Sequence, residues 1–220
     1  MPAKVNIPSE ALISRFAPLA PVPGRPDLSA FQAPDVFALW HAWEAESGSQ
    51  QDVPYWATVW PAALLAAEFF AESKESLAGK LVLDFGCGGG LAGIAACQAG
   101  AGKVIANDID PIALWMAERN AAANRIRLET EGGDLLRVPP DPAWDIILAA
   151  DMFYQKTMAD RMLAWLEMAR RNGTQVFIAD AGRPFSPRKG VRVLKEKRYA
   201  TDPDLEGVSA RTVRLLAYLP

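Results

Sequence analysis

The stretch Leu81–Gly90 reads LVLDFGCGGG, and it decides the fold. It begins as a run of apolar residues interrupted only by Asp84, which is the pattern of a buried strand. The alternating glycines Gly86, Gly88 and Gly90 follow, and they permit backbone angles and close ligand approach that side chains prevent. A helix that starts after them points its N-terminus at the same place. The stretch therefore predicts a strand, turn and helix that bind a nucleotide-like ligand.

Beyond Gly79, short β-branched runs alternate with helical stretches, which is typical of a parallel sheet built from βαβ units. The predicted strands are Lys80–Asp84, Lys103–Asn107, Ile126–Glu129, Trp144–Ala149 and Gln175–Asp180. The predicted helices are Leu91–Gln98, Pro111–Ala123 and Thr157–Arg170. Two further runs, Val191–Tyr199 and Thr212–Leu219, are joined by a polar linker without a helix pattern, so we expect an antiparallel hairpin at the sheet edge.

The segment before this core differs in composition. Residues from Pro2 to Pro34 are rich in proline, so we expect a short helix at best and otherwise an extended arm. Helix-like spacing of apolar residues predicts helices over Asp35–Glu46 and Pro61–Ala71. We therefore expect a single domain, in which residues 1–78 form an arm and helices that pack on a core of residues 79–220.

Bulk properties exclude several classes of protein. The chain has 220 residues, a formal charge of −3 and no long Lys/Arg tract, which argues against a protein that grips a nucleic-acid backbone. No apolar run reaches the roughly 20 residues of a membrane span. The cysteines Cys87 and Cys97 and the one histidine, His41, form no metal-ligand pattern. We expect a cytoplasmic monomer, or a mitochondrial matrix protein if the source is eukaryotic, without a metal.

Glycine spacing alone does not name the ligand. Gly88, Gly90 and Gly93 satisfy G-x-G-x-x-G, and Asp108 follows at a suitable distance, so a dinucleotide-dependent oxidoreductase remains an alternative. Asp84 argues against it, because a carboxylate just ahead of the glycines repels a pyrophosphate but holds an ammonium. S-adenosylmethionine carries an ammonium and no phosphate.

Two further carboxylates suit the same ligand. Asp108 ends the second predicted strand, where it can accept both hydroxyls of an adenosine ribose, while Asp110 is better explained as a helix N-cap before Pro111. Asp134 follows the third strand and can accept the adenine amino group. An Asp in a turn is common, so Asp134 by itself is a weak signal.

These residues together carry a family resemblance. The segment Asp84–Gly88, with Asp108 and Asp134, resembles the class I S-adenosylmethionine methyltransferases, whose sheet is seven-stranded and Rossmann-like with helices on both faces. Within that class, Trp56–Pro61 (WATVWP) and Asp151–Tyr154 (DMFY) resemble the seven-β-strand protein lysine methyltransferases, whose signature after the fourth strand is D-x-x-Y.

The W-x-x-x-W-P and D-x-F-Y segments, together with Gly182–Phe185 (GRPF), are similar to the electron transfer flavoprotein beta-subunit lysine methyltransferases, including their bacterial members. The resemblance implies methyl transfer from S-adenosylmethionine to a lysine of that subunit, with S-adenosylhomocysteine as product. Ribosomal protein L7/L12 is a second implied substrate. A methyltransferase of another protein or of a small molecule is the nearest alternative, although the N-P-P-Y tetrapeptide expected for amide or adenine amino acceptors is absent after the fourth strand.

The candidate acceptor site lies at a neighbouring strand end. Asp151 follows the fourth strand, at the edge where open α/β sheets bind ligands, and we expect it to attract and orient the lysine ammonium. The Tyr154 hydroxyl is expected to fix the amine lone pair toward the methyl group. The alternative is that Asp151 caps the next helix and Tyr154 packs. Trp60 and Trp56 are candidates to wall the adenosyl or lysine slot, with a place in the core as the alternative.

Overall fold

A computed structural model of the protein describes residues 5–219. The strands are β1 (Leu19–Val22), β2 (Arg25–Phe31), β3 (Leu81–Phe85), β4 (Lys103–Asp108), β5 (Glu129–Gly132), β6 (Ile146–Ala150), β7 (Gln175–Asp180), β8 (Val191–Ala200) and β9 (Ala210–Tyr218). The helices are α1 (Glu10–Phe16), α2 (Val36–Ser47), α3 (Pro61–Glu72), α4 (Lys74–Leu77), α5 (Leu91–Gln98), α6 (Pro111–Ala123), α7 (Lys156–Arg171) and α8 (Pro203–Glu206).

The main sheet has seven strands in the order β5-β4-β3-β6-β7-β9-β8. The first five strands of that order are parallel, and β9 and β8 are antiparallel additions at one edge. The chain order reverses beside β3, so the carboxyl ends of β3, β4 and β6 lie next to one another at the switch point where α/β sheets bind ligands. The predicted fold class, including the C-terminal hairpin, is confirmed.

Alternate residues of the central strands supply two separate cores. Val82 on β3 and Leu148 on β6 pack with α3 and α5 on one face, whereas their neighbours Leu83 and Ile147 pack with α7 on the other. This two-sided burial explains why the parallel strands read as continuous apolar runs. The sheet is therefore a rigid base that presents its strand ends to the site.

The N-terminal region has more structure than the prolines predict. Beyond α1, residues Leu19–Val22 and Arg25–Phe31 form an antiparallel hairpin instead of an extended arm. Gly24 turns it with φ of 77°, and Leu28 is buried against the α3 and α5 side of the fold. The side chain of Arg25 anchors the hairpin by donating to the Ala67 carbonyl of α3. Residues 1–4 lie outside the described range.

Two predicted strand boundaries and the predicted linker without a helix are wrong for local reasons. Strand β5 starts at Glu129 rather than Ile126, because Ile126 and Leu128 pack on the core from the preceding loop without joining the ladder. The fourth parallel strand starts at Ile146, since the Trp144 carbonyl accepts the Thr174 hydroxyl instead of a strand partner. The polar linker before β9 contains the short helix α8.

Within residues 5–219, no helix has the length and apolar character needed to cross a membrane. The same residues contain no cluster of His, Cys, Asp and Glu arranged to hold a metal ion.

Candidate active site

The glycine turn after β3 is built by backbone conformation. Gly86, Gly88 and Gly90 have φ values of 69°, 51° and 75°, a region that L side chains rarely adopt. A Cβ on Gly90 would lie 2.8 Å from the Ala117 Cβ of α6, so this glycine lets the helix pack close. A Cβ on Gly88 would meet nothing within 4 Å. Gly88 therefore presents bare backbone to open space, as a ligand seat requires.

The neighbouring Gly89 fits against the W-x-x-x-W-P segment. A Cβ there would lie 2.9 Å from the Trp56 carbonyl oxygen, and the Asn120 amide donates to the Gly89 carbonyl at 2.8 Å. Trp56 itself is buried and meets Trp43 edge to face, at 5.9 Å between ring centroids. Trp56 is thus a core residue that holds the segment on the turn.

Asp84 lies beneath the turn rather than on its surface. Its side chain is 2% exposed, and Oδ2 accepts the Gly93 N–H of α5 at 2.8 Å. Burial raises the pKa of this carboxyl to about 7, with a further rise from nearby Asp108 and an opposing effect from the Gly93 N–H. The carboxyl therefore braces the helix that follows the turn, and the predicted contact with a ligand ammonium remains a prediction.

Asp108 ties the ends of β3 and β4 together. Its Oδ2 accepts the Gly88 N–H at 2.9 Å, and its Oδ1 accepts the Asp110 N–H at 3.0 Å. Asp110 caps α6 as predicted, by accepting the Ile112 N–H at 2.8 Å. Because each carboxylate oxygen has a second lone pair, Asp108 retains acceptor capacity toward a ligand beside Gly88.

Asp134 follows β5 and is held by two cations. Its Oδ2 lies 3.0 Å from Arg161 and 3.3 Å from Arg137, and Oδ1 accepts the Leu136 N–H. Burial acts to raise its pKa, but the Arg161 and Leu136 hydrogen bonds outweigh it, so the pKa is lowered. Asp134 is therefore a charged hydrogen-bond acceptor just after the carboxyl end of β5, the strand that pairs with β4.

Trp60 is half-buried at the start of α3. Its indole N–H donates to the Tyr55 carbonyl at 2.9 Å, and the two rings meet at 5.6 Å between centroids. It also lines a cleft of about 450 Å³ between the N-terminal hairpin and the β8–β9 end. That cleft includes Glu206 but none of the glycine-turn residues, and neither Asp151 nor Tyr154 lines it, so the roles predicted for Trp60 remain predictions.

Asp151 occupies a strained position immediately after β6. It is a non-glycine residue with φ of 60°, and its N–H donates to the Ala179 carbonyl at 2.8 Å. Its carboxylate forms a two-point contact with Arg183, at 2.7 Å from Nε and 2.5 Å from Nη2. Helix α7 begins at Lys156 after Gln155, so Asp151 does not cap it. The helix-cap alternative is therefore wrong.

An ionic chain extends from Asp151 into the hairpin end. Arg183 also contacts both carboxylate oxygens of Glu206, at 3.0 and 2.9 Å, and Arg211 binds Glu206 from the other side at 2.5 Å. Glu206 is 3% exposed at the side chain. The charges of Asp151, Arg183, Glu206 and Arg211 balance. Arg183, Glu206 and Arg211 were not predicted from the sequence as candidate site residues, although Arg183 lies in the GRPF segment that carried part of the resemblance.

Tyr154 lies at the rim beside this chain. It is 52% exposed, so its side chain is not part of the buried core. Partial burial raises the pKa of its hydroxyl, as do the nearby Asp108, Tyr55 and Asp151, while Arg183 opposes them. The hydroxyl therefore stays protonated at neutral pH, near both the β4 and the β6 ends.

The other DMFY positions have packing roles. A Cβ on Gly86 would clash with the Met152 Sδ, so Met152 covers that glycine. Phe153 is fully buried in the α7 core. Within this tetrapeptide, Asp151 and Tyr154 alone present polar side chains to the strand ends.

Comparisons with known proteins identify relatives of this architecture. The model of the family described as ribosomal protein L11 methyltransferase (PrmA) matches residues 66–152. The electron transfer flavoprotein beta subunit lysine methyltransferase of Danio rerio is 41% identical over 131 residues, covering 59% of this chain and 51% of that protein. The Homo sapiens protein of the same name is 35% identical over 144 residues, covering 64% and 55%. The resemblance predicted from the sequence is confirmed.

A solved structure agrees on the fold. The magnesium protoporphyrin IX methyltransferase of Synechocystis PCC 6803 with bound S-adenosylhomocysteine has a TM-score of 0.53 at 16% identity, over 70% of this chain and 82% of that one. This likeness concerns the fold, which is that of the class I methyltransferases. The chain spans about half the length of the curated relatives it matches.

Proposed function

We propose that this chain is a protein-lysine N-methyltransferase that takes its methyl group from S-adenosylmethionine and transfers it to the electron transfer flavoprotein beta subunit. The observation that carries the proposal is the similarity of 35 to 41% to lysine methyltransferases of that name. The family model matches residues 66–152, and this region includes the glycine turn. We therefore propose for this chain the activity after which those longer proteins are named.

The strand ends support a seat for S-adenosylmethionine. Gly88 offers bare backbone beside open space, and Asp108 stands next to it with free lone pairs for the ribose hydroxyls. Gly86 shapes the turn, and Asp134 is the proposed hydrogen-bond acceptor for the adenine amino group. Asp84 fixes the start of α5 by accepting the Gly93 N–H, and through this contact it is proposed to position the amino-acid end of the cofactor. When bound, the cofactor supplies an electrophilic methyl group on a sulfonium.

The chain's own residues then present the nucleophile. The lysine amine loses a proton to solvent and its lone pair forms the new carbon–nitrogen bond, while the electrons of the carbon–sulfur bond remain on sulfur. Asp151 orients the incoming lysine, and the Tyr154 hydroxyl accepts or donates a hydrogen bond that aims the lone pair. Alignment and exclusion of water are the main tasks, because in-line displacement needs no covalent help from the protein. Trp60 is proposed to wall the acceptor slot from the cleft side.

A dinucleotide-dependent oxidoreductase is disfavoured by the buried Asp84, whose carboxyl lies directly beneath the turn where a pyrophosphate would sit. Among methyltransferases, the family model favours a ribosomal protein as a second class of substrate. Ribosomal protein L7/L12, which the sequence resemblance implied, is tested alongside it.

The substrate is tested by direct transfer. The purified chain is incubated with labelled S-adenosylmethionine and, separately, the flavoprotein beta subunit, ribosomal proteins L11 and L7/L12, and a cell extract. We expect label on lysine of the flavoprotein subunit, located by mass spectrometry. Label on a ribosomal protein alone would move the substrate to that class, and label on RNA or a metabolite without labelled protein would refute the proposal.

The role of Asp151 is tested by Asp151→Ala. Transfer should fall by at least about 100-fold, because the acceptor loses its anchor, while affinity for S-adenosylhomocysteine stays within about threefold. Asp160→Ala is the matched control, since that aspartate lies exposed on α7 and pairs with Lys156. An equal loss of cofactor affinity in Asp151→Ala would contradict the acceptor role.

A further inference from the structure

The ionic chain beyond Asp151 bears on the protonation state of an acceptor lysine. An unpaired carboxylate would bind a lysine ammonium strongly, but it would also stabilise the protonated form of the amine. The protonated amine has no lone pair and cannot accept a methyl group. A lysine methyltransferase with an acceptor carboxylate therefore has to limit the negative charge that this group presents.

Arg183 is placed to do this. It meets both oxygens of Asp151, in the two-point geometry that makes Arg–carboxylate pairs strong and well oriented. Hydrogen bonding to Asp151 and then to Glu206 raises the pKa of its guanidinium, so Arg183 is a permanent cation. We propose that Arg183, held by Glu206, neutralises Asp151 so that the acceptor lysine meets an ion pair rather than a free carboxylate. The inference rests on the proposed function.

Glu206 keeps Arg183 in place from the opposite side. Its own second partner, Arg211, donates to the Glu206 carbonyl as well as to its carboxylate, which ties α8 to the start of β9. The residues that hold Arg183 thus come from the hairpin and not from the strand that bears Asp151. Arg183 is a positioning residue in this scheme, because it acts on the lysine through Asp151.

Other titratable groups around the pair determine the sign of the pH dependence. Asp180 at the end of β7 accepts the N–H groups of Gly182 and Arg183, and burial raises its pKa. Tyr154 lies near the pair, and Tyr55 and Asp108 are close enough to contribute to the raised pKa of the Tyr154 hydroxyl. Glu206 and Arg211 cancel one another. Removing the charge of Arg183 therefore leaves an excess of negative charge around the lysine.

The test compares the pH profiles of kcat for the wild type, Arg183→Gln, Arg183→Lys and Glu206→Gln, with the whole 220-residue chain as enzyme and the purified flavoprotein beta subunit as substrate. In Arg183→Gln the profile should move to higher pH by about one unit, with kcat at pH 7 lowered about tenfold and KM for the protein substrate not raised. Arg183→Lys retains the cation and should keep the wild-type profile with a modest loss of rate. Glu206→Gln removes a negative charge, so its profile should move in the opposite direction and its KM should rise.

If Arg183→Gln and Glu206→Gln shift the pH profile of kcat in opposite directions, the cause is the change of charge. Structural damage would instead lower kcat at every pH. A wild-type pH profile in Arg183→Gln, or profiles shifted in the same direction in Arg183→Gln and Glu206→Gln, would overturn the inference. The proposed function would still stand in that case, provided that the wild-type chain methylates lysine. A wild-type chain that methylates no lysine would refute the proposed function and this inference with it.

Discussion

The glycine turn and the ionic chain serve the same strand ends but are built in different ways. The turn is one contiguous stretch, Gly86–Gly90, whose shape comes from backbone angles and close packing. The ionic chain joins residues that are 23 and 32 positions apart, and its geometry comes from side-chain charges. The difference teaches that the backbone of a turn can be encoded locally, whereas a chain of paired charges requires distant segments to meet.

The two regions also treat buried charge differently. Asp84 lies under the turn and has no cationic partner among residues 5–219, and its pKa is raised to about 7. Asp151 and Glu206 are matched by Arg183 and Arg211. A buried carboxylate without a counter-ion lowers stability once it ionises, whereas a paired carboxylate does not incur the same cost. The predictions below test this contrast, from the largest expected effect to the smallest.

The largest effect concerns the pH dependence of stability. Because the pKa of Asp84 is about 7 in the folded chain and near the ordinary aspartate value of 3.8 when unfolded, its contribution to stability is full below pH 4 and is lost as pH rises through 7. Asp84→Asn should remove this fall, a difference on the order of 4 kcal/mol in the free energy of unfolding between pH 4 and pH 8. Urea unfolding over that range measures it.

Asp145→Asn is the control for that comparison. The N–H of Leu81 and then the Lys80 ammonium lower the pKa of Asp145, so this substitution should leave the fall in place. Stability curves that run parallel for the wild type and Asp84→Asn would contradict the contrast between the two regions.

The second prediction concerns the packing of the turn. Gly90→Ala adds a Cβ at 2.8 Å from Ala117 in a residue with φ of 75°, so we expect a loss of about 3 kcal/mol of stability. Gly79→Ala is a matched control, since its φ is 71° and a Cβ there meets nothing within 4 Å. It should cost only about 1 kcal/mol. Equal losses in thermal unfolding would show that backbone strain alone, and not helix packing, requires glycine at position 90.

The third prediction compares Asp108, the last residue of β4, with Asp110, which follows the strand. Asp108→Asn leaves one acceptor oxygen for the two N–H groups that Asp108 now binds, so affinity for S-adenosylhomocysteine should fall about tenfold. Asp110→Asn preserves the cap of α6, because asparagine is an equally good N-cap residue, and the affinity should stay within about threefold. Titration calorimetry measures both, and equal losses would rule out a specific role for Asp108.

The smallest effect is expected at the acceptor rim. Tyr154→Phe removes an exposed hydroxyl without changing the core, so kcat should fall about fivefold, corresponding to one neutral hydrogen bond. Thermal stability and affinity for S-adenosylhomocysteine should remain at wild-type values. A fall in cofactor affinity with unchanged kcat would instead place Tyr154 in the donor seat.

Short-range patterns predicted much of this molecule. The parallel sheet, the C-terminal hairpin and α5 and α6 followed from periodicity and from glycine and N-cap signals, which act within a few residues. The N-terminal hairpin was missed, because its pairing depends on Gly24 and on the contact of Arg25 with α3 rather than on strand propensity. Strand β5 was misplaced because apolar residues that cover a core look like strand residues in a sequence.

The amino-acid sequence by itself determined the glycine turn. Glycines at alternating positions set the local backbone geometry, which a sequence displays directly. Only the tertiary structure decided the ionic chain, in which Asp151 pairs with Arg183 and Arg183 pairs with Glu206. Coulombic contacts depend on distance in space, and the parallel ends of β6 and β7, with the returning hairpin, are what bring these charges within 3 Å of one another.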